Sequence, residues 1–474
     1  NLRTAGASGY YAVPVIGATQ GPSEVVSVNL ADVQPGTARY ESVVTHELQH
    51  LCLAQNDPNE AAWISEGASQ LVEVLAGYEA PKAAVAAFAA RPDVQLNAWS
   101  TAPGDQYRHY GAAFLALEYL YERYGLPGLT SLLASPEDGT SALAQALLQL
   151  DGTALHTFYD DWSIGNLLDD PTLDAGRYGY RGIDLSLAPR RQVSSYPAAV
   201  TLGMVPYAAQ YVELLPIPDE ATDLTLRVIG PRETRLFAAE APEGHPVWWS
   251  NRADSGHSWL QRELDLSDTE QAELSFRLWY DIETGWDWAG VRVSPDGGES
   301  WSWIEGPHMV HSAAGSGAPP IVYTGRSGAT EPDAEPRWVA ETLDLTPYAG
   351  QAVTLRIDMF TDEAQTGPGL CLDDLAVHAI GWKDTPGDGG WTAAGFVRTD
   401  GVVPVTWSAQ LVTYRGSVAQ VERIPLEAGQ GSWTLKGLGR EVDRAVVVVS
   451  ALTDPRGPLS TEPMPVRLTI EPAP

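Results

Sequence analysis

Two periodicities divide this chain. Up to about residue 190, apolar positions recur at roughly every third or fourth residue, the spacing of helices; beyond about 195 they alternate in short runs closed by Gly, Pro and Asp. Residues 40–54 place Val43, Val44, Leu48, Leu51 and Cys52 along one helix, and 61–76 do the same with Trp63, Ile64, Ala68, Leu71, Val72 and Leu75. Between them, Gln55-Asn56-Asp57-Pro58-Asn59 is a turn of the length that returns a helix antiparallel to its predecessor. Residues 81–90 read as an alanine-rich helix and 110–124 as an amphipathic one, and 141–150 and 154–164 complete a helical region. Ahead of the first helix, Val25-Val26-Ser27-Val28-Asn29-Leu30 reads as a strand.

The later alternation is that of β-sandwiches. Tyr211-Val212-Glu213-Leu214 and Leu224-Thr225-Leu226-Arg227-Val228 are early strands, and Ala445-Val446-Val447-Val448-Val449 is a late one, apolar throughout and so expected to be buried on both faces. A weak internal echo runs through the middle. Leu264-Asp265-Leu266-Ser267 followed by Leu274-Ser275-Phe276-Arg277 is matched, at the same spacing, by Leu343-Asp344-Leu345-Thr346 followed by Val353-Thr354-Leu355-Arg356. Two such turn-and-strand units are expected to face one another in a jelly roll.

The expected fold class is therefore multidomain: a mainly α (α+β) N-terminal domain, 1–195, followed by all-β sandwich or jelly-roll modules. Residues 196–240 are expected to form the first part of a sandwich, 241–382 a jelly-roll module, 383–390 a linker, and 391–474 a C-terminal sandwich. The linker is marked by Asp384-Thr385-Pro386-Gly387-Asp388-Gly389-Gly390. Residues 196–240 are too short for a sandwich alone. Either 391–474 completes it, with the jelly roll inserted, or three units stand independently.

Composition narrows the partners. Sixty-one acidic against 29 basic residues give a formal charge of -32, which argues against nucleic acid or anionic membrane as a partner and is in keeping with an exported protein; a monomer is expected. No apolar run approaches the roughly 20 residues that span a bilayer. The opening Asn1-Leu2-Arg3 has neither an initiator Met nor a leader pattern, so the chain is expected to be a mature or trimmed part of a longer precursor. Cys52 and Cys371, the two cysteines, are expected to be buried free thiols in different domains.

The candidate chemistry lies in the first helix. His46-Glu47-Leu48-Gln49-His50 puts two imidazoles four residues apart, on one helical face, where both can bind one metal. Glu47 is placed to take a proton from a water activated at that metal. Trp63-Ile64-Ser65-Glu66-Gly67 on the second helix offers Glu66 as third ligand, and three protein ligands plus one water is the arrangement of a catalytic zinc. Gln70, one turn beyond Glu66, is a candidate to orient a ring.

Thr45-His46-Glu47-Leu48-Gln49-His50 followed by Trp63-Ile64-Ser65-Glu66-Gly67 resembles the gluzincin metallopeptidases, whose third ligand is a Glu in a Trp-x-x-Glu-Gly context. It does not resemble the metzincins, since 51–56 holds no third His. The resemblance implies a zincin-like fold and a secreted zinc endopeptidase acting on protein or peptide substrates. His46, His50 and Glu66 would be its ligands and Glu47 its general base. It also implies that the strand ahead of the zinc helix forms a sheet edge that pairs with substrate. A Tyr from a later helix would donate to the oxyanion. Tyr107-Arg108-His109-Tyr110-Gly111-Ala112-Ala113-Phe114 resembles that region, leaving Tyr110 or Tyr107 for the task and His109 as a further polar candidate.

Residues 241–382 resemble the MAM-like (jelly-roll) modules of immune inhibitor A-like secreted bacterial metalloproteases. The likeness is carried by Trp279-Tyr280-Asp281-Ile282-Glu283, Val293-Ser294-Pro295-Asp296-Gly297-Gly298-Glu299-Ser300-Trp301 and Gly369-Leu370-Cys371-Leu372-Asp373-Asp374-Leu375. Asp373 and Asp374, with Asp281, Glu283 and Asp287, offer the oxygen-rich shell that calcium prefers, and the resemblance implies such a structural ion; solvated turn acids are the alternative. Trp279, Trp286, Trp288, Trp301 and Trp303 are expected to serve core packing more than sugar stacking. The competing reading of the whole chain is a non-catalytic adhesive or carbohydrate-binding β protein carrying a relic peptidase domain.

Overall fold

Helix-forming sequence in the first third of the chain folds, among the described residues, as six α-helices in the computed structural model. It describes all residues except 1–7, 12–24, 100–103, 218–221, 241–243, 255, 313–317, 332–333, 363–365, 386, 388 and 474. α1 (Ala38–Asn56) starts two residues before the apolar pattern because Thr37 caps it, its hydroxyl accepting from Tyr40 N at 3.2 Å. α2 (Ala62–Leu75), α3 (Lys82–Ala90), α4 (Gln106–Leu133), α5 (Gly139–Leu150) and α6 (Leu155–Leu168) follow. α4 breaks at Gly125, whose φ of 62° only glycine adopts freely, with Pro127 beyond it. Its stretch 112–117 is buried on every side, making α4 the central helix of the region.

β1 (Gly9–Tyr11) pairs antiparallel with β2 (Val26–Val28). The strand expected over 25–30 is cut short because the Asn29 carbonyl starts a turn, accepting from Asp32 N and Val33 N.

By packing, the described chain forms two units. One combines Pro22–Thr234 with Val403–Pro474, and the other is Arg235–Val402. In the first, a five-stranded sheet runs Val418–Ile424, Thr406–Arg415, Arg444–Leu452, Ala208–Leu214, Arg191–Val193, facing a four-stranded sheet of Gln430–Leu438, Thr222–Ile229, Met464–Pro472 and Ala198–Met204. Strands from 191–229 and from 406–472 thus alternate within one sandwich.

That sandwich is not separate from the helices, as the expected 1–195 boundary had it. Along Arg444–Leu452 the odd positions Ala445, Val447 and Val449 enter the sandwich core, while Val446 and Val448 join Tyr207, Ala209, Tyr211 and Val412 in the helical core. This is why residues 445–449 of the strand are apolar at every position. Each such buried valine contributes about 1.5–3 kcal/mol. Polar groups also bond across this junction: Asp160 of α6 accepts from Ser408 and Ser450 hydroxyls at 3.0 and 3.3 Å, and the Tyr211 hydroxyl donates to Ser163 O at 2.9 Å.

The second unit is a two-sheet jelly roll. One sheet orders Val339–Asp344, Glu273–Asp281, Gly369–Val377, Val247–Trp249 and Val397–Thr399; the other orders Ser302–Ile304, Trp288–Ser294, Ala352–Phe360, His257–Asp265 and Trp391–Ala394. Residues 391–399 therefore belong here, not to the C-terminal sandwich expected to begin at 391. Part of the expected linker, 386 and 388, lies outside the described residues. The internal echo has a physical form: each copy gives one strand to each sheet, and the turns bond reciprocally, Leu266 N to Gln351 O at 3.0 Å and Leu345 N to Ala272 O at 2.9 Å. Trp279 and Trp288 are buried, whereas Trp286 is 62% exposed. Both cysteines are free, but Cys52 is exposed and only Cys371 is buried.

Candidate metal centre

α1 presents His46 and His50 one turn apart, and their Nε2 atoms stand 3.1 Å from each other. α2 brings Glu66 opposite, its Oε2 lying 3.2 Å from His46 Nε2 and 3.6 Å from His50 Nε2. Donors about 2.0–2.1 Å from a tetrahedral zinc stand about 3.3 Å apart, so this triangle has the edge lengths of three zinc ligands. Glu66 Oε2 is buried without a hydrogen bond of acceptable geometry, although both rings are near. An anion wedged between two ring nitrogens calls for positive charge at the centre of the triangle. A proton serves one ring at a time, whereas a divalent ion serves all three donors at once.

The ring orientations are fixed from behind. His46 Nδ1 bonds Glu73 Oε1 at 2.8 Å, and Ser42 donates to the other Glu73 oxygen. His50 Nδ1 bonds the Ser65 hydroxyl at 2.9 Å, with Ser69 at 3.4 Å. With the Nδ1 atoms engaged, the Nε2 lone pairs face the triangle. Gln70, the residue expected to orient a ring, is not used: its Oε1 is buried without a partner, and both Nδ1 atoms are already taken. Glu73 was missed, although it lies seven residues from Glu66 on the same face of α2. Burial pushes the His46 imidazole down, but the Glu66 and Glu73 carboxylates outweigh it and hold the ring at about 10. Burial likewise opposes the Glu66 anion, yet the His50 and His46 rings keep its carboxyl well below the usual range.

Glu47 is buried on α1. A Cβ on Gly9 would stand 2.4 Å from Glu47 Oε1, so glycine alone lets the β1 backbone lie against this carboxylate. Of the two candidate tyrosines, Tyr110 reaches the site. The negative charge of Glu66, then burial, then Glu47 raise its pKa well above the usual value, so its hydroxyl stays protonated. Tyr107 is 60% exposed. His109 is not directed to the ligands. It is buried against Trp99, with ring centroids 5.4 Å apart, and bonds backbone at Ala98 and Gln95; burial, then Arg108, lowers it to about 4.

The family model of the immune inhibitor A-like MAM domain matches residues 226–401, nearly the span of the jelly-roll unit. This stretch resembles the immune inhibitor A-like MAM domain. In chain order this MAM-like module comes after the helical region and the first sandwich strands. Among curated proteins, Pre-pro-metalloprotease PrtV of Vibrio cholerae, in two strains, is 28% identical over 173 residues, covering 35% of this chain and 17% of that protein. Bacillopeptidase F of Bacillus subtilis is 25% identical over 114 residues, covering 24% of this chain and 6% of that protein. The chain spans no more than 17% of the length of these relatives. Among solved structures, a VP2 protein of infectious bursal disease virus aligns at a TM-score of 0.11 and 10% identity, over 62% of this chain and 45% of that one, too slight a likeness to argue from.

Within the MAM domain a second group of donors converges. Glu283, Asp287 and Asp362 bring carboxylate oxygens within 4.8 Å of one another. Asp287 is fully buried; one oxygen accepts from Asp362 N at 3.0 Å and the other has no partner. Burial, then Asp362 and Glu283, pushes its carboxyl up to about 8. Asp373 and Asp374, expected in this group, are elsewhere. A bulge in the Gly369–Val377 strand puts Asp374 at φ 54°, turning it to Lys383 at 2.9 Å, while Asp373 is buried 3.6 Å from His245. Asp281 pairs with Arg326 at 3.0 Å.

Proposed function

We propose that this chain is a zincin-like, secreted zinc endopeptidase, in which His46, His50 and Glu66 hold the ion and Glu47 is the general base. The observation that carries the reading is the donor triangle of 3.1, 3.2 and 3.6 Å edges with the buried Glu47 beside its first ligand. Bound there, zinc would supply Lewis acidity and lower the pKa of a water. The protein does the rest. Glu47 takes the proton of the attacking water and passes it to the leaving amine. Tyr110, held neutral by the surrounding carboxylates, donates to the oxygen on which negative charge develops. An extended peptide adds to the edge of the β1–β2 sheet, whose backbone lies against Glu47. The PrtV match supports the peptidase class, and no described helix is long and apolar enough to cross a membrane.

Metal removal tests this. Stripping with phenanthroline is expected to abolish casein cleavage, and one equivalent of zinc per chain to restore it. A protein that takes up no zinc, or that cleaves equally well without it, refutes the assignment.

The same reading gives the MAM domain a structural calcium on Glu283, Asp287 and Asp362, since the unpartnered buried oxygen and clustered like charges suit a hard dication. Without the ion, Asp287 titrates near 8 in the folded chain against about 3.9 unfolded, so the folded state binds the extra proton between those values and stability falls as pH rises through them. Calcium at about 100 times its Kd is then expected to raise the melting temperature of this domain by about 5–10 °C near pH 8, and by less near pH 5. Asp287→Asn should remove the response and leave the metal-free protein more stable at the higher pH. A calcium shift persisting in that variant places the ion elsewhere.

A further inference from the structure

Tyr110 does not stand alone beside the donor triangle. Trp99 meets its ring edge-on, with centroids 5.1 Å apart at 88°, and also packs on His109. Trp99 ends a short strap, residues 94–99, that leads from α3 towards α4 without regular structure of its own. Such a segment must be held by something else. Its inner residues Val94, Gln95 and Leu96 are buried. Its polar groups are met by the sandwich: Leu96 N donates to Tyr207 O at 2.9 Å, and Gln95 Nε2 donates to Ser460 O at 2.8 Å.

The sandwich side of this junction is rigid. Tyr207 is a non-glycine residue at φ 56°, a conformation that persists only when the surroundings impose it. Its N donates to Ala451 O at 2.7 Å and its hydroxyl to Thr453 O at 2.9 Å. Ser460 is fully buried, its hydroxyl 3.3 Å from that of Thr234. The turn before Ala208–Leu214 and the 453–460 loop therefore present two carbonyls to the strap at fixed positions.

We propose that the β-sandwich sets the position of Tyr110: Tyr207 and Ser460 hold the strap, and the strap holds Trp99 against the Tyr110 ring. Gln95 and Trp99 are positioning residues, acting through Tyr110 and touching neither ion nor substrate. The inference rests on the peptidase reading for its consequence, not for its geometry. It makes the sandwich part of the catalytic unit, where sequence suggested an appended module.

The test uses the full zinc-loaded chain. Trp99→Ala is expected to lower kcat about 10- to 100-fold, the scale of a small misplacement of a reacting group, with KM and zinc content nearly unchanged. Gln95→Leu should act in the same direction more weakly, and Trp99→Phe, which keeps a ring edge, should recover most of the rate. Each should cost less than about twofold in a Tyr110→Phe background, because the group it positions is gone. Full additivity with Tyr110→Phe overturns the proposal. Fluorine NMR of meta-fluorotyrosine placed at position 110 reads the geometry without turnover: its resonance should shift in Trp99→Ala and in Gln95→Leu. An unmoved resonance in Gln95→Leu sinks the inference even if the chain is a peptidase. Should the wild type fail to cleave casein, the peptidase reading falls while this resonance still decides the positioning.

Discussion

Glu47→Gln is expected to keep one zinc per chain and lose casein hydrolysis by about a hundred- to ten-thousand-fold, or about 3–5 kcal/mol in the barrier. The amide keeps the shape of the buried carboxylate but cannot accept a proton. The three donors lie on other residues, so metal binding should be spared. Zinc content by atomic absorption and the initial rate of a quenched peptide check this together. A variant that still turns over at wild-type rate would remove Glu47 from the chemistry and leave only a zinc-binding helix pair.

Gly67→Val should do the reverse, damaging the site without touching a ligand. A Cβ at Gly67 would stand 2.8 Å from the carbonyl oxygen of Ala113 and 2.9 Å from its carbon, both backbone atoms of α4 that cannot step aside. Two further methyl groups make the overlap worse. α2 must then move away from α4, carrying the adjacent Glu66 out of the triangle. The expected cost is about 1–3 kcal/mol of stability, with zinc affinity lower by about 10- to 100-fold. Thermal melts and a zinc titration measure it. Unchanged zinc affinity would show that Glu66 does not depend on this close approach.

The same position shows why a glycine follows the third ligand: it is the contact that lets the helix bearing Glu66 lie against the helix bearing Tyr110. The pairing of His46 and His50 was legible from the chain, because an interval of four residues is set by helix geometry before any tertiary contact forms. Glu66 was legible only through the turn between two helices and the Trp-x-x-Glu-Gly resemblance. The partners of the two rings were less so. Gln70 and Glu73 both lie on the Glu66 face of α2, and nothing in their order says that Glu73 reaches His46 while Gln70 reaches neither ring. The acidic group of the MAM domain was half legible. Glu283 and Asp287 are neighbours in sequence, but Asp362 arrives on a loop 75 residues after Asp287, and the tempting Asp373-Asp374 pair is turned away by a bulge.

Periodicity within a window of a few turns was enough to indicate the helical first third and the β remainder, while the four residues proposed for the chemistry came from a motif and the family resemblance it carries. Fixed rises per residue make such patterns local. Whether the sandwich belonged with the helices, where the jelly roll ended, and which carboxylates met could emerge only from packing. Those outcomes depend on contacts between residues tens to hundreds of positions apart: Val446 and Val448 reaching the helical core, Trp391–Ala394 pairing with His257–Asp265, and Ser460 meeting Gln95. Side-chain shape and burial, summed over the fold, select those partners, and no short interval along the chain encodes them.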